Sequence, residues 1–357
     1  AMLQRVIPVR VREGYDVVIG DGLFEDSGRL LREALGDCRL AVVTDSNVEK
    51  LYLSALLGSL TQAGFDACAT VFPAGEENKR LDTLADLLEF FAGQQLTRKD
   101  CIVALGGGVT GDMAGFAAGC YLRGVKYVQI PTTLLAAVDS SVGGKTAVDL
   151  VAGKNLAGLF HQPSLVLCDT NTFDTLSSDE FANGAAEAIK TGILDDEKLF
   201  SLFESGDVRA NIADIVTQCV AFKAGIVEAD ETETGIRKTL NLGHTAGHAI
   251  ERCSDYTIPH GHAVAIGLAI IARASETLGW ATEPIARRVE AALARNGLPV
   301  TTTFSPETLA QAALSDKKRA GGKITLVVPK RIGDCALIDI PVEQLADIFR
   351  AGMEKRV

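Results

Sequence analysis

Cys101-Ile102-Val103-Ala104-Leu105-Gly106-Gly107-Gly108-Val109-Thr110-Gly111-Asp112 is the stretch on which the fold turns. Five apolar residues in succession, with no polar alternation, describe a strand buried on both faces, as in a parallel sheet covered by helices. The glycines that follow fit G-x-G-x-x-G at Gly106, Gly108 and Gly111, and a helix is expected to begin near Asp112. Such a turn brings backbone close to a pyrophosphate, and the helix N-terminus offers its unpaired N–H groups to the charge. Glycine-rich turns are common, so the pattern alone is a weak sign of a dinucleotide. It also departs from the ordinary Rossmann arrangement, because it lies well inside the chain and no acidic residue closes the following strand. Asp45, ending the earlier apolar run Arg39–Thr44, is the better candidate for ribose hydroxyls.

Working outward, Ala67–Phe72, Val125–Ile130 and Ser164–Cys168 read as further buried strands, alternating with helical patterns such as Leu81, Leu84, Leu87 and Leu88. This predicts an α/β nucleotide-binding domain, Rossmann-like with a mostly parallel sheet, over residues 1–177. Beyond about Phe181 the period changes to that of helices, as in Ala263–Leu278 and Glu283–Asn296. Residues 178–357 are expected to form an all-α C-terminal domain for metal and substrate, with one late strand at Ile324–Val328 pairing with Cys335–Ile338.

Composition narrows the function classes. A chain of 357 residues has room for two cores, and its net charge of −11, with no basic stripe, argues against nucleic acid. No apolar run reaches the roughly 20 residues that span a bilayer, and no export leader is visible. The eight cysteines are scattered without a C-x-x-C pair, which suits a reduced, cytoplasmic compartment. Ala1 before Met2 reads as a residue left from expression.

Four of the five histidines, His244, His248, His260 and His262, fall between positions 244 and 262. His244 and His248 share a helix face. Gly243, Gly247 and Gly261 flank the set and are expected to let a ligand approach closely. A lone histidine is usually surface or satisfied core, but four together with Glu187 upstream fit a metal site of three protein ligands and one open position. Spacing does not choose which two histidines would join Glu187. Basic residues recur beside turns in this acidic chain: Arg123, Lys145, Lys154, Lys190, Lys223 and Arg237. A single lysine is ordinarily a solvated charge; this many suits a substrate carrying carboxylate and phosphate. Lys190 lies three residues after Glu187, on its helix face. Asp139-Ser140-Ser141 adds a carboxylate and hydroxyls.

The run Pro131–Val148 (PTTLLAAVDSSVGGKTAV) resembles the signature of the 3-dehydroquinate synthase family, within the sugar phosphate cyclases. Gly153-Lys154-Asn155, Glu187-Ala188-Ile189-Lys190, Leu240–Glu251 (LNLGHTAGHAIE) and Asp316-Lys317-Lys318 resemble it too. The resemblance implies a divalent metal, zinc first and cobalt second, on Glu187, His244 and His260. It implies NAD+ held by Asp45, the Gly75-Glu76-Glu77-Asn78-Lys79 turn, Gly107, Gly108, Val109, Gly111, Asp112, Thr132, Thr133, Lys145, Lys154, Thr172 and Thr175. Substrate is then expected against Asp139, Lys145, Asn155, Lys190, Lys223, Arg237, Asn241 and His248, with one of Lys317 and Lys318 on its phosphate. Arg123 is expected to reach a neighbouring subunit's site, which implies a homodimer.

The reaction implied is conversion of 3-deoxy-D-arabino-heptulosonate 7-phosphate into 3-dehydroquinate and phosphate, a lyase step of the shikimate pathway to aromatic amino acids. It runs by transient oxidation, elimination, re-reduction, ring opening and intramolecular aldol closure. Two positions depart from the family: His262 stands where Glu is usual, and Thr191 where an aromatic is usual. The rivals are another sugar phosphate cyclase, whose substrate lacks the carboxylate that Arg237, Lys145 and Asn155 suit, and a metal-dependent polyol dehydrogenase, which consumes NAD stoichiometrically.

Overall fold

The computed structural model describes residues 4–315 and 322–353. Lys317 and Lys318 lie outside the described residues. Contacts divide the chain into two units: residues up to Leu176 together with Cys219–Thr232, and Ser177–Gln218 together with the chain from Glu233 onward. A single boundary at 177/178 therefore does not describe the division. Residues 219–232 group with the first unit although they continue a helix, Ile212–Ala229, that begins in the second.

The first unit contains β1 (Arg5–Val9), β2 (Tyr15–Gly20), β3 (Leu40–Asp45), β4 (Ala67–Phe72), β5 (Cys101–Gly106), β6 (Lys126–Pro131), β7 (Lys145–Leu150), β8 (Gly153–Phe160) and β9 (Leu165–Asp169). Seven of these form one sheet in the order β1-β2-β9-β6-β5-β3-β4. All neighbours are parallel except the β1–β2 edge pair. The unbroken apolar runs follow from burial on both faces. Val103 and Leu105 of β5 pack with Leu31, Leu56 and Leu60 on one side, while Ile102 and Ala104 pack with Leu87, Phe91 and Met113 on the other. From β3 the chain steps outward to β4 and then returns to the opposite flank as β5. The order therefore reverses between β3 and β5, at whose carboxyl ends stand Asp45 and Gly106. In open parallel sheets that switch point is where ligands bind.

The helix after β5, Gly108–Cys120, starts four residues before the expected position, directly off Gly107. Glycines are poor helix formers, and this helix uses them for close packing. A Cβ on Gly111 would lie 2.4 Å from Gln129 Oε1, and one on Gly115 2.6 Å from Thr146 Cγ2. The antiparallel β7–β8 hairpin was not legible around the Lys145 glycines; Thr146 and Val148 are its buried side.

The second unit is mostly helical. Its Ser178–Asp195 helix opens with a reciprocal capping box between Ser177 and Glu180. His244–Cys253, His260–Thr277, Ala286–Arg295 and Pro306–Leu314 follow, with a hairpin of β10 (Lys323–Arg331) and β11 (Asp334–Pro341). Backbones meet where glycine permits it. A Cβ on Gly267 would sit 2.0 Å from the Gly243 carbonyl oxygen, and one on Gly261 2.2 Å from that of Asn183.

Among the described residues one segment, Arg209–Ala229, is long and apolar enough to cross a membrane by length and composition, although Asp214, Lys223 and Glu228 interrupt its apolar run. Its buried residues Ile215, Val216, Cys219, Val220, Ala224 and Val227 mark a helix with one packed side, and Lys223 sits within it.

Two glycine substitutions separate crowding from chain entropy. Gly267→Ala should destabilise the second unit by about 1–3 kcal/mol through backbone displacement. Gly58→Ala, in an exposed helix position with nothing within 4 Å of its Cβ, should stabilise by about 0.5–1 kcal/mol. Urea unfolding midpoints of the two variants should move in opposite directions.

Candidate active site

In the second unit, two imidazoles converge on one carboxylate oxygen, and a lysine faces the other. Glu187, 1% exposed, lies mid-helix in Ser178–Asp195. Its Oε1 is 3.0 Å from His244 Nε2 and 2.9 Å from His260 Nε2. Helix His244–Cys253 begins at His244 itself, after Gly243 in the left-handed region at φ 74°. Helix His260–Thr277 begins at His260, after Pro259. The two rings are also aimed from behind. His244 Nδ1 lies 2.9 Å from the Leu242 carbonyl oxygen, and His260 Nδ1 lies 3.2 Å from Glu251 Oε2.

Charge follows from that geometry. Burial alone would raise the Glu187 carboxyl, but Lys190 and His244 outweigh it and hold it well below the ordinary range. Lys190 Nζ stands 2.7 Å from Glu187 Oε2 and donates to the Leu240 carbonyl at 2.8 Å. Burial would likewise depress His260, yet its bonds to Glu187 and Glu251 raise it to about 10. The His260 ring lies between two carboxylates, Glu187 and Glu251, a setting whose negative charge suits a cation. One carboxylate and two imidazole nitrogens, all ligand atoms within 4.8 Å of one another, fit a divalent metal. His248, Glu251 and His260 form a second such group. The His248 ring lies 5.2 Å from that of His244 and 6.0 Å from that of His260. Desolvation, helped by His244, pulls its pKa down, so the ring is neutral near pH 7. Arg237 is fully buried in this unit, and Asn241 is exposed.

His262 is not in either ligand group. Its Nδ1 lies 2.8 Å from Asn183 Oδ1, tying the first turn of its helix to the Glu187 helix one turn before the carboxylate. Thr191, the other departure, donates to the Glu187 carbonyl at 3.1 Å. The glycines beside the histidines serve helix packing: Gly243 and Gly261 meet Leu268 and Asn183, and a Cβ on Gly247 would lie 3.2 Å from Val264 Cα. Close approach of a ligand is not what they are spent on.

In the first unit, Gly107 and Gly108 open the Gly108–Cys120 helix below Thr133 and Ser140. Added Cβ atoms would lie 3.0 Å from Thr133 Cγ2 and 3.2 Å from Ser140 Oγ. The buried hydroxyls of Ser140 and Thr110 have no hydrogen-bond partner among the described residues. A helix N-terminus entered through glycines, with unsatisfied hydroxyls beside it, fits a phosphate-bearing nucleotide. Val109 lies in the first turn; Asp112 lies in the second turn and takes Lys79 Nζ at 2.8 Å, which also donates to Asn155 Oδ1 at 2.7 Å. Asp45 is engaged with Asn47 and Val48 N–H groups at 2.8 Å. Thr132 is buried, its N–H on the Gly106 carbonyl at 3.0 Å. Thr175 and the Thr172 carbonyl meet the Tyr52 hydroxyl at 2.8 and 3.2 Å.

Gly75, at φ 121°, opens the turn that carries Glu76. Burial and a hydrogen bond with Asp149 raise Glu76 to about 7, against Lys79 and Lys154. Lys154 Nζ is 3.7 Å from Glu76 Oε1, and Lys145 heads β7. Lys223 belongs to this unit, with Nζ on Asp139 Oδ1 at 2.7 Å. Arg123 is exposed, at φ 67° after Leu122 at φ 49°.

The family model for the 3-dehydroquinate synthase N-terminal region matches residues 69–183, and that for its C-terminal region matches 184–319. The chain belongs to the 3-dehydroquinate synthase family. Family members named 3-dehydroquinate synthase include one from Agrobacterium fabrum, 44% identical over 94% of this chain and 93% of the relative. Another, from Pelobacter propionicus, is 43% identical over 98% and 99%. Among solved structures, the 2-epi-5-epi-valiolone synthase ValA of Streptomyces hygroscopicus, with NAD+ and Zn2+ bound, is 27% identical with a TM-score of 0.87, covering 98% and 99% of the two chains. The fold is shared more widely: an iron-containing alcohol dehydrogenase gives a TM-score of 0.61 at 16% identity, over 98% and 99%.

Two outcomes follow from the site. His262→Ala should leave the bound metal per chain unchanged by elemental analysis; loss of the ion would make His262 a ligand. Glu76 is protonated more readily in the folded than the unfolded chain. Its contribution to stability is therefore complete below its ordinary value of 4.5 and fades as pH rises through about 7. Since its side chain is 41% exposed, the effect is reduced to about 1 kcal/mol. Without nucleotide, Glu76→Gln should match the parent in thermal unfolding near pH ~5 and exceed it by roughly that amount near pH ~8.5.

Proposed function

We propose that this chain is a 3-dehydroquinate synthase, converting 3-deoxy-D-arabino-heptulosonate 7-phosphate into 3-dehydroquinate and phosphate. The observation that carries the reading is likeness to relatives of that name at 43–44% identity across nearly the whole chain. Glu187, His244 and His260 would hold the metal. Asp45, the Gly75–Lys79 turn, Gly107–Asp112, Thr132, Thr133, Lys145, Lys154, Thr172 and Thr175 would hold NAD+. When bound, the metal supplies a Lewis acid for a substrate hydroxyl, and NAD+ a hydride acceptor regenerated within each turnover.

The chain's own groups account for the rest. Arg237 offers a fixed fork for the substrate carboxylate, and Lys145 and Asn155 are read as further groups directed at the anionic substrate. Lys190, paired with Glu187, is read as drawing an anionic group toward the histidines. Lys223, oriented by Asp139, stabilises charge that develops on the substrate when phosphate leaves. Asn241 donates through its amide. The neutral His248 ring, beside His244 and His260, is read as a hydrogen-bonding group for the substrate's ring hydroxyls. Arg123, exposed on its left-handed turn, is read as reaching a second copy of the chain in a homodimer. The net charge of −11 supports a small anionic metabolite held by local cations over nucleic acid, and no membrane partner is proposed. The eight free cysteines support a reduced cytoplasm.

The second reading is another sugar phosphate cyclase, favoured by likeness to ValA and to a 2-deoxy-scyllo-inosose synthase complexed with carbaglucose-6-phosphate, NAD+ and Co2+. Offered NAD+, zinc and the heptulosonate phosphate, the protein should release phosphate while nicotinamide absorbance stays flat. Stoichiometric NADH, or turnover only of a phosphorylated sugar lacking a carboxylate, would contradict the synthase. Glu187→Gln should lose both the ion and turnover.

A further inference from the structure

We propose that Glu251 is a positioning residue of the metal site: its carboxylate holds His260 as the Nδ1–H form and aims Nε2 at the ion shared with Glu187 and His244. The inference rests on the metal reading given above.

His244, His248 and Glu251 occur at i, i+4 and i+7 of one helix, so one helix face carries a ligand and, two turns on, the group that holds the next ligand. Both ligand rings present the same nitrogen, Nε2, to the same oxygen, Glu187 Oε1. An imidazole has only one other nitrogen, and what that atom contacts fixes the tautomer. In His244 the other nitrogen faces a neutral carbonyl, Leu242 O, at 2.9 Å. In His260 it faces the Glu251 carboxylate at 3.2 Å.

The asymmetry has a physical cause. The His244 side chain is 10% exposed and caged by its neighbours, while that of His260 is 30% exposed, at the first residue of its helix. The looser ring needs the stronger holder, and a carboxylate facing an N–H is the stronger of the two. Glu251 is itself only 5% exposed, so packing holds its carboxylate in place. Its negative charge also makes the opposite nitrogen of the ring a better donor to a cation. Glu251 and Glu187 thus occupy the two ends of one imidazole. With Nε2 on the ion, Nδ1 keeps its proton, and the His248–Glu251–His260 group acts as support, not as a second ligand set.

The full chain can be tested directly, because its five histidines give five ring systems after histidine-selective 15N labelling. With one equivalent of Zn2+, the His260 ring should show a proton on Nδ1 and metal on Nε2. Metal on Nδ1 would overturn the proposal, and this measurement needs no variant. Glu251→Gln should still take one Zn2+ at saturation but bind it about 10–100-fold more weakly, and Glu251→Asp should recover part of that loss. Affinity within about three-fold of the parent would overturn the proposal, as would a Glu251→Gln chain that takes no ion at saturation. If the parent itself binds no ion, or Glu187→Gln binds equally well, the metal reading fails; if only Glu251→Gln is silent, this inference alone fails.

Discussion

A carboxylate 1% exposed cannot remain charged in a protein interior without compensation, and Glu187 is such a carboxylate. Its compensation comes from three directions: Lys190 on the next turn of its own helix, and His244 and His260 at the first residues of two further helices. Placing two imidazoles on one oxygen requires those helix starts to be near each other and near the middle of the Glu187 helix. That requirement accounts for the glycines of the second unit. Gly243 against Gly267 and Gly261 against Asn183 are contacts of backbone on backbone, which no side chain can enter. The metal site and the packing of its helices are therefore one construction.

The first unit meets a different constraint with the same residue type. Its sheet is covered on both faces, and the helix off β5 must lie close to it, so Gly111 and Gly115 face Gln129 and Thr146. Gly107 and Gly108 let the helix start pack close to Thr133 and Ser140, and the Ser140 and Thr110 hydroxyls have no partner among the described residues. The strand order reverses beside this start, which is why Asp45 and the glycine turn stand at adjacent strand ends. A cyclase and a dehydrogenase share this frame, as the range of fold neighbours shows.

Much of the sheet was legible, because double-sided burial writes continuous apolar runs: Ala67–Phe72 reads from sequence with the same bounds as the strand. The β7–β8 hairpin was hidden by Gly143, Gly144 and Gly153, which read as loop. The early start of the Gly108 helix was hidden because glycine has low helix propensity, and only the Gln129 and Thr146 contacts explain it. Nothing at Gln218–Cys219 marks a change of unit, since the helix runs through it unbroken. At the site, four histidines and Glu187 were visible as a group, but their spacing did not divide them; the ligand trio came from resemblance. Glu251 stood in a quoted motif without a role, because its partner is nine residues away across a turn. Asn183, the partner of His262, carried no signal at all.

The central claim is that oxidation here is temporary and confined to one turnover. Substrate deuterated at C5 of the heptulosonate, run with unlabelled NAD+ in ordinary water, tests it by mass spectrometry. The account predicts product that keeps the deuterium, with none in the nicotinamide pool. Label lost to water, or accumulating as deuterated NADH, would contradict it.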